Sequence, residues 1–153
     1  MMIMKIVILI LAALLLCANI KSIPTAFNKK KATNVIMSMR DNIFDMQKRY
    51  PMLSPQTVQG LFCAVIFFIV GLSIILDIVI CKVAMIATIG EISSINYIMI
   101  ISMFIHFYFL IISIIDIFRV NVKITGYGVT IENIAAKIFY LTSVVSLLSK
   151  IVS

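Results

Sequence analysis

Charge is scarce in this sequence. Only 12% of the 153 residues are Asp, Glu, Lys or Arg, and only 6 of those are acidic. A soluble domain carries about 25% charged and roughly 45–50% apolar residues. Here the apolar share is 63% and the mean hydropathy +1.18. A small soluble core cannot hide that excess, because surface outruns volume at this size. Histidine occurs once, at position 106, which leaves no Ser–His pairing around a GxSxG elbow and no HExxH metal helix. No phosphate loop or dinucleotide fingerprint is present either, so the sequence points away from an enzyme and calls for no cofactor. The three cysteines, Cys17, Cys63 and Cys81, lie in or beside apolar runs without CxxC spacing. They read as inert thiols, neither a disulfide framework nor a zinc site.

What is abundant is isoleucine, in long runs. Residues 95–118 are almost all Ile, Met, Phe, Tyr and Leu, with His106 at the middle. A helix of that length, at ~1.5 Å per residue, covers a bilayer core of about 30 Å. Three further segments read the same way, at 6–20, about 57–80 and about 131–152. The expected fold is an all-α integral membrane protein, a bundle of four transmembrane helices with an amphipathic interfacial helix between the first two spans. Residues 1–20 also fit a signal peptide, with Lys5 before the apolar stretch. A retained first helix is favoured, because cleavage would leave the lysine-rich stretch that follows on the exterior.

Residues 21–56 form the polar segment. They hold seven of the 13 basic residues, which oppose Asp41 and Asp45 alone. Within it Ile36, Met39, Ile43, Met46 and Tyr50 recur at spacings of 3 and 4, one stripe of a helix over 34–50. Thr33 or Asn34 would cap its start and Pro51 would stop it. A basic amphipathic helix beside a span is expected to lie among lipid headgroups, with docking on a partner as the alternative. Lys29, Lys30, Lys31, Arg40, Lys48 and Arg49 are then candidate contacts to anionic headgroups, and nucleic acid is not the expected partner. The positive-inside rule puts this segment on the cytoplasmic or matrix-like side, with both termini opposite.

The second span opens at Ser54-Pro55, an N-cap followed by proline in the first helical position. Gly60 and Ala64 are spaced as in helices that pack closely in lipid. Apolar sequence beyond Lys82 reads as an extension along the interface. Residues 120–130 alternate in polarity and predict an extended arm or hairpin closing on a glycine-rich turn. There Thr125-Gly126-Tyr127-Gly128 resembles the potassium-channel filter signature, which implies a row of backbone carbonyls. The family's valine between threonine and the triplet is missing, and no pore helix precedes it, so a turn is the reading adopted.

Two polar stripes could carry chemistry. Ser102, His106, Ser113 and Asp116 share one face of the third span, and Ser73, Asp77 and Cys81 share one face of the second. Ionisable groups in lipid turn toward protein or water, so the two faces are expected to meet. If the second span ends at residue 80, Asp77 lies near its end and meets the Met99–Ser102 level, a turn or more from His106. Asp116 would pair with Arg119 on its own helix. His106 is then a packing contact first and a proton relay second. The expected function is a non-catalytic accessory or scaffolding subunit of a larger membrane complex, whose partners are other membrane subunits or further copies of itself. The alternative is a self-assembling, holin-like pore.

Overall fold

The computed structural model describes residues 2–88, 94–118 and 127–152, apart from the side chains of residues 22, 25, 29, 32, 36, 150 and 152. The described residues form five helices: α1 (Met2–Ala26), α2 (Lys29–Arg49), α3 (Pro55–Ala87), α4 (Ser94–Phe118) and α5 (Tyr127–Val152). All but α2 are long and apolar enough to cross a bilayer. The protein is an all-α, multi-pass membrane protein, as its hydropathy predicts.

Local chemistry sets the helix starts. Ser54 Oγ accepts from the Thr57 amide at 3.1 Å and Pro55 follows, so α3 begins where the cap demands. Asn28, rather than Thr33 or Asn34, caps α2 by accepting from the Lys31 amide at 3.0 Å. The helix therefore takes in the lysine run and starts five residues earlier than the apolar stripe suggests. It ends at Arg49, two residues before Pro51.

The largest departure from the sequence reading is the length of α3. It runs for 33 residues to Ala87, so residues 83–87, expected as an extension, continue the spanning helix itself. Lys82 lies inside it and is exposed. A lysine can do this near a membrane boundary, because its long apolar stem lets the ammonium reach the headgroup layer. At the other connection, Tyr127–Thr130 are already helical, which corrects the expected hairpin for those residues. Residues 119–126 lie outside the described part of the chain. Because Tyr127 and Gly128 are in a helix, their carbonyls point along its axis and cannot form the row that a channel filter needs.

Helix α5 is the hub and touches each of the other four helices. One apolar core joins Ile8, Ala12 and Leu15 of α1, Ile80 and Ala84 of α3, Met99 of α4, and Phe139 and Leu147 of α5. A smaller one sits at the end of the bundle where α2 lies, built on Ile43 and Ile117 with Phe62, Phe118 and Val129 packed around them. The apolar stripe of α2 is thus spent partly on its own bundle. Ile43 is 4% exposed, and Arg40 Nη2 donates to the Asp116 carbonyl at the last turn of α4, at 2.6 Å. Lys30, Lys31, Lys48 and Arg49 remain exposed at this end, and Lys48 lies 3.9 Å from Asp45. The side chain of Lys29 lies outside the described residues.

Candidate functional site

The extra length of α3 changes the depth of Asp77. It lies ten residues before Ala87, and His106 lies twelve residues after Ser94. Measured from the connection between these antiparallel helices, the two are about 15 and 18 Å deep at ~1.5 Å per residue. The levels match, and Asp77 Oδ2 approaches His106 Nε2 to 3.5 Å. The expected offset toward Met99–Ser102 came from ending the span at Ile80, and the structure overturns it.

The other side of the imidazole is also occupied. His106 Nδ1 lies 3.0 Å from Glu132 Oε1, on the second turn of α5. A single buried ring therefore stands between two carboxylates from two different helices. Asp77 is 1% exposed and His106 7%. Neither contact has the full geometry of a hydrogen bond, so both are close electrostatic approaches. Asp77 is held from its second oxygen by Tyr140, whose hydroxyl donates to Oδ1 at 2.7 Å. The ring nitrogens point in opposite directions, so the acids diverge. Among the described residues no three His, Cys, Asp or Glu side chains are placed to hold a metal ion.

Lys137, on α5 five residues after Glu132, is buried as well. Its ammonium donates to the Asn19 backbone carbonyl on α1 and to Asn19 Oδ1, the latter at 3.1 Å. Desolvation makes an isolated ammonium costly in a bundle interior, and two oxygen acceptors offset part of that cost.

The other candidates scatter. Ser102 is buried on the His106 face and donates to its own Met99 carbonyl at 2.9 Å. Ser113 donates to the Phe109 carbonyl at 2.8 Å and lines a cleft beside Glu132. Ser73 is exposed and returns its proton to Ile69, so it does not join Asp77 in facing α4. A helix satisfies such a hydroxyl internally when no neighbour reaches it. Asp116 is half-buried and offers its backbone carbonyl to Arg40, while Arg119, its expected partner, lies outside the described residues.

Sequence reasoning missed Glu132, Tyr140 and Asn19. Glu132 and Tyr140 stand eight residues apart on α5, which puts them on one stripe. That spacing was a usable signal. Comparison with protein-family models, curated proteins and solved structures finds no match, so function rests on the geometry of this chain.

Proposed function

We propose that the protein is a non-catalytic subunit of a larger membrane assembly that docks through the open face of α3. The observation that carries this reading is the surroundings of its small residues. Gly60 and Gly71 have no atom within 4 Å of where a Cβ would stand, and Ala64 is exposed. Small residues in lipid-embedded helices serve close backbone approach, and among the described residues no helix packs directly on these three, Gly71 facing Ile111, Ile114 and Ile115 of α4 only across an open cleft. Most of α3 between Leu61 and Val79 is likewise turned outward. A second helix laid along this face would find a groove rather than a ridge.

The holin-like alternative draws less support. A pore assembled from copies of this chain needs polar side chains on an outer face, and Ser102 and His106 are turned into the bundle. By the positive-inside rule the basic α2 end faces the cytoplasm or a matrix-like compartment, where its exposed lysines suit anionic headgroups.

The test is purification in mild detergent with cross-linking, for the wild-type chain and for Gly60→Leu with Gly71→Leu. The reading expects a fixed stoichiometric complex, with other subunits or with further copies of this chain. It should be lost in the double variant while helix content is kept. A wild-type chain that travels alone as a monomer sinks it.

A further inference from the structure

We infer that Glu132, His106 and Asp77 form a proton-transfer site, in which a proton passes through the imidazole between a cleft at the α2 end and the buried hydroxyls beyond Asp77. The first argument is an inventory of donors. A carboxylate offers only acceptors, and a neutral imidazole offers one donor and one acceptor. Both ring nitrogens here face a carboxylate oxygen, at 3.0 and 3.5 Å. With a neutral ring and two ionised acids, one of those contacts would set two acceptors against each other in a medium of low dielectric, where the repulsion is largest. Relieving it takes one more proton, which can reside on Glu132, on His106 or on Asp77. The site therefore holds a proton with three adjacent homes.

The transfer balances. It begins with Glu132 as the acid, Asp77 as the carboxylate and the ring proton on Nε2. The Glu132 O–H bond breaks as a bond forms to Nδ1, and the Nε2–H bond breaks as a bond forms to Asp77 Oδ2. Glu132 ends as the carboxylate, Asp77 as the acid, and the ring stays neutral with its proton on Nδ1. The cluster carries one negative charge before and after, so the step adds no net charge to the interior. The buried Lys137 supplies one positive charge on the same helix as Glu132. The starting arrangement returns when Asp77 gives its proton up toward the Tyr140 side, Glu132 takes one from the cleft, and the ring proton moves from Nδ1 back to Nε2.

Both ends have polar continuations. A cleft of about 450 Å³ opens between α2, α3, α4 and α5, with mainly apolar walls, and it brings Lys31, Ser113 and Asn133 to the level of Glu132. On the far side the Tyr140 hydroxyl bonds Asp77, and Ser143 and Ser146 follow on α5 at three-residue steps, both buried. Ser146 Oγ donates to Asn96 Oδ1 at 3.4 Å, and Asn96 Nδ2 donates to Thr88 Oγ1 at 2.8 Å, at the last residue described after α3. The titratable groups that reach the ring are thus Asp77 from α3 and Glu132 from α5, with Tyr140 of α5 behind Asp77 and Lys31 of α2 across the cleft from Glu132, while Lys137 of α5 turns to Asn19 of α1.

The experiment uses the full chain in liposomes of phosphatidylcholine and phosphatidylglycerol, with a pH-sensitive dye inside and a potassium diffusion potential as the driving force. Wild-type vesicles are expected to change internal pH faster than protein-free vesicles. Glu132→Gln, Asp77→Asn and His106→Ala should each return the rate to the protein-free level, and added imidazole should restore part of it to His106→Ala. Wild-type flux equal to protein-free vesicles overturns the inference, and so does undiminished flux in all three variants. Should the variants misfold, infrared spectra of the wild-type chain labelled separately at Asp and at Glu decide. A protonated carboxyl band assigned to either residue, or an imidazolium band from His106, supports the site, and two ionised carboxylates flanking a neutral imidazole overturn it. Both readouts use the isolated chain, so they stand apart from whether a partner subunit is found.

Discussion

Docking of α2 on the bundle can be separated from binding to headgroups by where its stripe is truncated. If α2 merely floated in the interface, its apolar residues would sit in equivalent surroundings, and removing any one of them would loosen it alike. The structure makes them unequal. Ile43 is 4% exposed between α3 and α4, whereas Met46, one turn on, is 40% exposed. Ile43→Ala should cost about 2 kcal/mol, the low end for a buried Ile→Ala because a helix on a bundle's edge can partly close the gap. At about 1.4 kcal/mol per factor of ten, that opens α2 about 30-fold more often. Met46→Ala, with much of its side chain already outside, should fall under about 1 kcal/mol. Arg40→Ala removes a charge-assisted hydrogen bond to the Asp116 carbonyl and should cost about 1.5–3 kcal/mol. Amide hydrogen exchange in lipid nanodiscs reads these openings helix by helix. Exchange over α2 should rise in the order Met46→Ala, Ile43→Ala, Ile43→Ala with Arg40→Ala, while α4 and α5 stay protected. Equal acceleration by Met46→Ala and Ile43→Ala would refute the docked arrangement.

Two further substitutions probe the interior. Tyr140→Phe strips the hydroxyl from Asp77 Oδ1 at almost constant volume, and the buried carboxyl group then loses a partner. Unfolding by increasing detergent denaturant should show a loss of about 1–3 kcal/mol, and no loss would mean that Asp77 does not depend on that bond. Asn19→Ala takes the Oδ1 acceptor from Lys137 while leaving the backbone carbonyl. It should weaken the packing of α1 on α5 by a similar amount, about 1–3 kcal/mol. Site-specific cross-linking between the two helices would check it, and an unchanged yield would count against the contact.

The four spans were legible because hydropathy is a summed, local property, and the start of α3 because Ser54-Pro55 acts on its own neighbours. The span length of α3 was not, since a lysine in an apolar run reads as an end unless its stem is allowed to reach the headgroups. That single boundary moved Asp77 by about two turns and hid its contact with His106. Asp77 on the second span and Ser102 and His106 on the third lie on the two polar faces that the spacing marks, and all three are buried. Glu132 escaped because an acid in the first turns of a helix is ordinary next to the positive end of its dipole. Its role becomes visible only once α4 and α5 are set antiparallel, with Ser146 beside Asn96 and Glu132 beside His106.

The polar network draws on every spanning helix: Asn19 from α1, Asp77 from α3, His106 from α4, and Glu132, Lys137 and Tyr140 from α5. In lipid, apolar helix faces gain little by choosing one another over acyl chains, so apolar packing alone distinguishes weakly between neighbouring registers. A slip of α4 by one turn, about 5.4 Å, would carry His106 away from both acids and leave ionisable groups unpaired in the membrane interior. Each displaced ion carries a cost of about 2.5–3.5 kcal/mol on insertion scales, larger than most single apolar contacts at the same interfaces. The network therefore fixes which turn of α3 and α5 faces which turn of α4, and the geometry that could pass a proton also selects one packing of the bundle over its neighbours.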